Sequence, residues 1–383
     1  MIATGISAWV LLVHAAVLFR WMRGWRMAVE VSPASPVQSQ DCAFTVLIPA
    51  RNEAHGLGGL LDDLAGQSDR ISFSVVLIND SSTDDTVHIA VHHSLAEVGR
   101  LACISNDGEG KKSALLTGLR HVDTAWAVTL DADVRLGKGW AEAWQKCLTH
   151  QGENVAGVAG PVVLLDRNDT SPSVSARLQA LDYGAQMGWS AGQLARGRAG
   201  SASGANLAVR PETYPDTRSL GPSGDDTLVV QALQASGFEV RWLADVRARV
   251  WTSGATSMHA WISQRLRWAG KTKHYPWAAR RTAVWMGSMG ATQWTLVAMA
   301  SLGVADFSWL WTAGWWATVT VMNVMYARPV AKWFGVKAGL TDWIVLGLTQ
   351  PFQLPVLLLA KAGLLRPFGI ASQPTWKGRT CTP

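Results

Sequence analysis

Two aspartates, Asp131 and Asp133, stand with one alanine between them in "VTLDADVRL" (residues 128–136). Val128, Thr129 and Leu130 read as the end of a buried strand. Side chains two residues apart on a strand point to one face. Like charges that close repel unless something cationic sits between them. Paired carboxylates at a strand end suit a hard divalent cation, since Mg²⁺ commonly takes one or two carboxylates and completes its shell with phosphates and waters. A helix cap or an Asx turn uses the same residue type, so the surroundings have to decide.

The elements that must hold such a pair are legible on both sides of it. "FTVLIPA" (44–50), "FSVVLIND" (73–80) and "AWAVTLDAD" (125–133) are short β-rich runs, each leading into a polar loop and then a helix-like stretch. Apolar runs buried on both faces and alternating with helices predict a mainly parallel sheet in an α/β domain, expected over residues 44–253. In such sheets ligands bind at the carboxyl ends of the strands. The loops 49–53, 79–84 and 131–133 all lie at such ends, so three polar clusters converge on one edge.

Composition narrows the class. The chain has 383 residues, of which 48% are hydrophobic and only 16% charged, and it carries 21 Trp. That balance suits a domain accompanied by membrane segments, where indole rings favour the interface. The net charge of +6 comes with no RNP, zinc-finger or basic-helix motif, which argues against nucleic acid as a partner. It leaves an anionic substrate or the positive-inside bias of a membrane protein. The 4 Cys have no C-x-x-C spacing and predict neither a zinc site nor a disulfide framework. His55, His88, His92, His93 and His121 show no ligand cluster and read as surface or packing residues.

Residues 2–19 are apolar apart from small polar residues and His14, about long enough to cross a bilayer. Arg20, Arg23 and Arg26 follow this run, which predicts an uncleaved transmembrane anchor over residues 1–26 with the next domain in the cytoplasm. Residues 27–43 read as a linker. Apolar runs at 283–304, 309–325 and 343–365 predict about three C-terminal transmembrane segments within 282–365, then a tail over 366–383. The flanking charges fit a multi-pass protein of the inner cell membrane with a cytoplasmic catalytic domain, except at the last run. Simple crossing there would put Lys361, Arg366, Lys377 and Arg379 outside; Pro351 and Pro355 leave re-entry as the alternative. Within residues 254–281, Met258, Trp261, Ile262, Leu266 and Ala269 recur at helical spacing. They predict an amphipathic helix on the membrane surface, with Arg265, Lys271 and Lys273 facing anionic lipid.

The motifs occur in a fixed order: "VLIPARNE" (46–53), "VVLINDSSTDDT" (75–86), "GKKSALLTGLRH" (110–121), "TLDAD" (129–133), "SGANLAVR" (203–210), "SGDDTLVVQAL" (223–233) and "QRLRW" (264–268). The series resembles the family 2 inverting glycosyltransferases, which have the GT-A fold. The Q-x-x-R-W with flanking apolar segments resembles the membrane subset that includes ceramide glucosyltransferases and the hyaluronan and cellulose synthases. The resemblance implies a GT-A Rossmann-like sheet flanked by helices, with N- and C-terminal transmembrane helices. The chain departs from the family pattern in having Asn79-Asp80 for Asp-Asp and Asp225-Asp226 for Glu-Asp.

By this resemblance, Ala50, Arg51, Glu53 and Asp80 line the uridine pocket of a UDP-sugar. Asp131 contacts the nucleotide, and Asp133 ligates Mg²⁺ or Mn²⁺ on the diphosphate. Lys111 or Lys112 meets phosphate charge. Gly204, Ala205 and Asn206 belong to the acceptor loop. Asp226 is the candidate base, with Asp225 beside it, although both also precede a helix, where acids favour the dipole. Arg267 turns to the diphosphate, and Gln264 and Trp268 to the acceptor. The function expected is transfer of one sugar from a nucleotide sugar to a lipid or lipid-linked acceptor. The rivals are a processive polysaccharide synthase and a catalytically silent scaffold that keeps the fold.

Overall fold

Three parallel strands that start the catalytic-type domain bring its first two loops side by side. The computed structural model describes residues 2–30, 43–69, 71–220, 224, 226–304, 307–368, 375–376 and 379–380. The strands of the α/β domain are β1 (Phe44–Ala50), β2 (Phe73–Asn79), β3 (Leu101–Ser105), β4 (Ala127–Thr129), β5 (Arg135–Leu136), β6 (Val155–Ala159), β7 (Val162–Leu164), β8 (Leu207–Val209), β9 (Glu239–Trp242) and β10 (Val250–Thr252); Thr375–Trp376 and Arg379–Thr380 pair as a separate two-stranded ribbon. Seven form one sheet in the order β3-β2-β1-β4-β8-β6-β9. Only β8 runs against its neighbours. Ala50 pairs with Asn79 at the ends of β1 and β2, so the two motif loops leave the sheet together. β5, β10 and β7 make a small second sheet.

The helices are α1 (Ile2–Glu30), α2 (Ala54–Ala65), α3 (Thr86–Val91), α4 (Ser94–Glu97), α5 (Lys111–Leu119), α6 (Trp140–Thr149), α7 (Val174–Leu194), α8 (Thr227–Ala235), α9 (Met258–Gly270), α10 (Trp277–Ser301), α11 (Trp309–Phe334) and α12 (Leu340–Lys361). One face of the main sheet packs on α2 and α6, through Leu57, Leu60, Leu64, Trp140 and Trp144. The other face packs on α5, α7 and α8, through Leu115, Leu181, Val229 and Leu233. The helices cover both faces, which is why the strands carry the near-continuous apolar runs of a parallel sheet.

α1 and the last helices dock on α7. A Cβ on Gly192 would lie 2.8 Å from the Gly24 carbonyl carbon, so α7 and α1 touch backbone to backbone only because both residues lack side chains. Trp25 is buried there, 5.3 Å from Trp333 and 6.0 Å from Phe334 between ring centres. Arg177 on α7 grips Asp342 in the first turn of α12, with Nη2 2.9 Å from Oδ1. Among the described residues, two helices are long and apolar enough to cross a bilayer by length and composition: residues Gly5–Glu30 of α1, and α12.

The helix boundaries differ from those expected. α1 runs on to Glu30, past the expected anchor and into the linker; Val31 to Cys42 lie outside the described residues. α11 continues nine residues beyond the apolar run that ended at 325. Tyr326, Val330 and Phe334 on one face of that extension are buried, while Arg328 and Lys332 on the other are exposed. α12 keeps Pro351 and Pro355 inside one continuous helix rather than breaking at them. The expected tail is described only at 366–368, 375–376 and 379–380.

Candidate active site

The strand-end loops are fixed by side chains that bond to backbone. Asn52, at φ 53°, holds the Thr83 amide through Oδ1 (2.8 Å). The Glu53 amide donates to Thr86 Oγ1 (2.8 Å), and the Ala54 amide to Asp84 Oδ2 (3.0 Å). The loop after β2 therefore caps the start of α2, satisfying amides that a helix N-terminus leaves without intrahelical partners. Asp80 is buried and is the centre of this set. Its carboxylate accepts from Asn106 Nδ2 (2.8 Å) and the Gly110 amide (3.0 Å), and its own amide donates to Ala50 O (2.8 Å). Arg51 Nη1 donates to Asp80 O at 3.0 Å. Ala50, Arg51, Glu53 and Asp80 are thus brought to one sheet edge.

Asp131 and Asp133 follow β4 on the same edge. Lys111, at the first turn of α5, places Nζ 2.5 Å from Asp131 Oδ1. That ammonium supplies the positive charge the aspartate pair requires. Asp133 sits on an exposed turn under α2. A Cβ on Gly56 would lie 2.9 Å from the Asp133 Cα, so the glycine is what lets α2 cross over this turn. Lys112 goes elsewhere: it is buried and donates to Thr217 O at 2.8 Å. Of the two lysines, Lys111 lines the cavity with Asp131 and Asp133, and Lys112 does not.

The remaining wall comes from the loop before β8, from α8 and from α9. Gly204 and Ala205 line the cavity, and Gly204 O is held by Thr129 Oγ1 (2.8 Å). Asn206 does not reach it. The Asn206 side chain is fully buried, accepts from the indole N–H groups of Trp140 (3.2 Å) and Trp144 (3.1 Å), and donates to Pro161 O and Ala248 O (both 2.9 Å). All its bonding capacity is spent inside the core, so it braces the loop and is not free for an acceptor.

Asp226 caps α8 and faces the same cavity. Its Oδ1 takes the Thr227 amide (2.5 Å) and the Lys271 ammonium (2.9 Å). Both bonds fall on Oδ1; among the described residues, Oδ2 has no hydrogen-bond donor. Asp225 lies outside the described residues.

On α9, Gln264, Arg267 and Trp268 all line the cavity. Two basic residues expected to face lipid do not. Arg265 is buried, pairs with Asp182 on α7 at 2.6 Å, and lies 4.8 Å from the Trp268 ring centre and 5.5 Å from that of Trp261. Lys271 is the partner of Asp226. Only Lys273 of the three is exposed. A buried guanidinium needs a carboxylate, and α7, packed against this face of α9, supplies it in Asp182. Tyr183 packs against Trp268 with ring centres 5.6 Å apart and planes tilted by 38°. Burial pushes the Tyr183 hydroxyl up to about 12, so it remains a protonated donor through the neutral range.

Lys271, Asp182 and Tyr183 were missed by sequence reasoning. Lys271 had a readable signal, since residues 264, 267, 268 and 271 share one helical face. Asp182 and Tyr183 had none, because their roles depend on α7 crossing α9.

These walls enclose one cavity of about 740 Å³. It extends from Asp131, Asp133 and Asp226 past Trp268 into the space between α1, α7, α10, α11 and α12, where Trp21, Met286, Asn323, Gln350 and Leu354 line it. Among the described residues, four carboxylates (Asp131, Asp133, Asp182, Asp226) and four cations (Lys111, Arg265, Arg267, Lys271) line it. Among the described residues no three His, Cys, Asp or Glu side chains form a metal-holding group. The carboxylates of Asp131 and Asp133 are an oxygen donor set of the kind that suits a hard divalent ion.

The Glycosyl transferase family 2 profile matches residues 45–194, and the Glycosyl transferase family group 2 profile matches residues 126–351. A 4,4'-diaponeurosporenoate glycosyltransferase of Staphylococcus aureus is 34% identical over 92 residues, which is 24% of this chain and 24% of that protein. The chain therefore spans about a quarter of the length of the curated relatives it matches. A mannosyltransferase of Pyrobaculum calidifontis, solved in complex with GDP-Man and Mn²⁺, has 20% sequence identity, a TM-score of 0.55, and covers 90% of this chain and 98% of its own. That likeness shows an α/β fold of the GT-A type. A glucosyl-3-phosphoglycerate synthase of Mycobacterium tuberculosis, solved with Mn²⁺ and UDP-glucose, has 15% identity and a TM-score of 0.40, covering 60% of this chain and 78% of that one.

Proposed function

We propose, on the premise that this chain belongs to glycosyl transferase family group 2 and is a glycosyltransferase, that it moves one sugar from a nucleotide sugar to a lipid or lipid-linked acceptor, with inversion. The donor is a UDP-sugar whose base lies by Ala50, Arg51, Glu53 and Asp80. The acceptor enters from the membrane, in which α1 and the C-terminal helices are embedded, and the α/β domain stands on the cytoplasmic side. One observation carries this reading: a single cavity joins the strand-end carboxylates to the space between the apolar helices. A water-soluble acceptor has no need of that second half.

The residues divide the work between bond breaking and bond making. Asp226 Oδ2 takes the proton of the acceptor hydroxyl as its oxygen bonds to the anomeric carbon. Lys271 and the Thr227 amide hold Oδ1, so the carboxylate keeps one orientation without rotating away. The bond from the anomeric carbon to the diphosphate breaks on the opposite side, where Lys111 and Arg267 meet the negative charge that develops. Asp133, with Asp131 beside it, would hold Mg²⁺ or Mn²⁺, which acts as a Lewis acid on the leaving diphosphate. Trp268 and Gln264 position the acceptor head group.

The test uses membranes carrying the full chain, a panel of radiolabelled nucleotide sugars, and extraction into organic solvent. The expected result is label from one donor on a lipid bearing a single sugar. Label in a polymer would replace this reading with processive synthesis, and label that never enters the organic phase with any donor would overturn it.

A further inference from the structure

The helix end of the cavity contains a hydrogen-bond chain that the reaction does not use. Trp285 Nε1 on α10 donates to His14 Nδ1 on α1 at 3.3 Å. His14 Nε2 lies 2.9 Å from Asn323 Oδ1 on α11. Asn323 Nδ2 lies 3.1 Å from Gln350 Oε1 on α12. His14 has no exposed surface. Four helices are thus linked by three bonds inside a largely apolar bundle.

The chain has one direction. An indole N–H only donates, so His14 Nδ1 must accept, and a neutral ring then carries its proton on Nε2. That proton goes to Asn323 Oδ1, which forces the Asn323 amide nitrogen towards Gln350 Oε1. Turning either amide round would set N–H against N–H. The sequence of donors therefore ends on the Gln350 NH₂. Among the described residues no acceptor takes its hydrogens, and both Gln350 and Asn323 line the cavity. Gln350 is only partly buried, so its N–H groups face the cavity, where an occupant could meet them.

The depth of this donor follows from α10. Ala279, Thr282, Ala283, Met286, Gly287 and Gly290 line the cavity along one helix face. A Cβ on Gly290 would lie 3.9 Å from Pro351 O, which puts Gln350 at the Gly290 level. Eleven residues of helix separate Ala279 from Gly290, about 16 Å at 1.5 Å per residue.

We infer that Gln350 and Asn323 form a second recognition subsite, which takes a hydrogen-bond-accepting oxygen carried far along the acceptor's apolar chain, remote from the group that receives the sugar. The inference rests on the lipid-acceptor reading and deepens it. The acceptor class is then a long apolar molecule with oxygen at both ends, such as a chain with a distal carbonyl, and not a plain hydrocarbon tail.

The test measures binding of tritiated hexadecan-1-ol, and of its analogues with one ketone near the hydroxyl, midway or near the far end, to the full chain in nanodiscs. The far ketone is expected to bind about tenfold tighter than the plain alcohol, the worth of one hydrogen bond of ~1.4 kcal/mol. The near ketone is expected to gain nothing. Gln350→Met, close to isosteric, is expected to collapse the difference among the probes to within about twofold. The wild-type series stands alone if that variant does not fold. Equal binding of all four probes overturns the inference and leaves the lipid-acceptor reading standing, as does an equal loss for every probe in Gln350→Met. If no probe binds while the lipid extract of the transfer assay is labelled, the inference alone fails; if the extract stays unlabelled as well, both fail.

Discussion

The loops after β1 and β2 are held largely by side chains that bond to backbone; the walls built by α8, α9 and the long helices are held by side chains that bond to one another. Asp80 holds the Gly110 amide, Asn52 the Thr83 amide and Asp84 the Ala54 amide, all within one stretch of the chain. Lys271 and Asp226, Arg265 and Asp182, and Asn323 and Gln350 are side-chain pairs between separate helices or loops. Loops anchored to backbone within one stretch of chain are held locally, which would suit the proposed nucleotide. Side-chain pairs between helices shift when one helix tilts, which would suit entry of the proposed lipid acceptor.

Variants can break this contrast, and the largest effect is expected at the carboxylate proposed as the base. Asp226→Asn should lower transfer about a hundred- to ten-thousand-fold while nucleotide-sugar binding, measured by calorimetry, stays near wild type. Unchanged turnover removes Asp226 from the chemistry.

Asn206→Leu comes next and acts on stability, not on acceptor affinity. It strips the Trp140 and Trp144 indoles and two carbonyls of their partner, a loss of about 3–5 kcal/mol. Thermal unfolding in detergent reads this as a large drop in Tm. A variant with normal Tm and a raised KM for acceptor would return Asn206 to the binding surface.

Lys271→Met should cost about tenfold in kcat, ~1.4 kcal/mol, because Asp226 loses one of two groups that orient it. Lys271→Arg should recover most of that rate. Equal kcat in the Met variant would make the pair a structural latch.

The smallest change is expected at Cys147, whose thiol burial pushes up to about 12. Only the thiolate reacts, so at pH 8 about one thiol in ten thousand is competent, and iodoacetamide should leave Cys147 unmodified in the folded chain. Thr282→Cys, on the cavity wall, should be labelled by the same reagent. Mass spectrometry that finds Cys147 labelled as fast as residue 282 would show that the sheet core opens as readily as the cavity.

The same contrast explains what could be read from the sequence. Asp131-Ala132-Asp133, the loop after β2 and the Gln264-to-Trp268 run are local patterns, each placed by one strand or helix. The α/β layering followed from apolar runs that needed cover on both faces. Asn206 and Lys112 kept the residue types of site members but found partners inside the fold, and no spacing distinguishes those two outcomes. Arg265 and Lys271 were assigned to lipid because a basic residue on an amphipathic helix has that default. Asp182 and Asp226, 83 and 45 residues distant in sequence, gave each a carboxylate instead. α11 outran its apolar stretch because its last turns bury only one side.

The grip of Arg177 on Asp342 has an evolutionary corollary. A guanidinium fork from the sugar-handling domain is locked onto the opening turn of the final long helix, so neither unit can rotate without tearing an ion pair out of a shielded spot. Hybrids that graft one relative's globular portion onto another's helical base should succeed only where both halves of this clasp travel together, and the two portions are expected to diversify as a single inheritance.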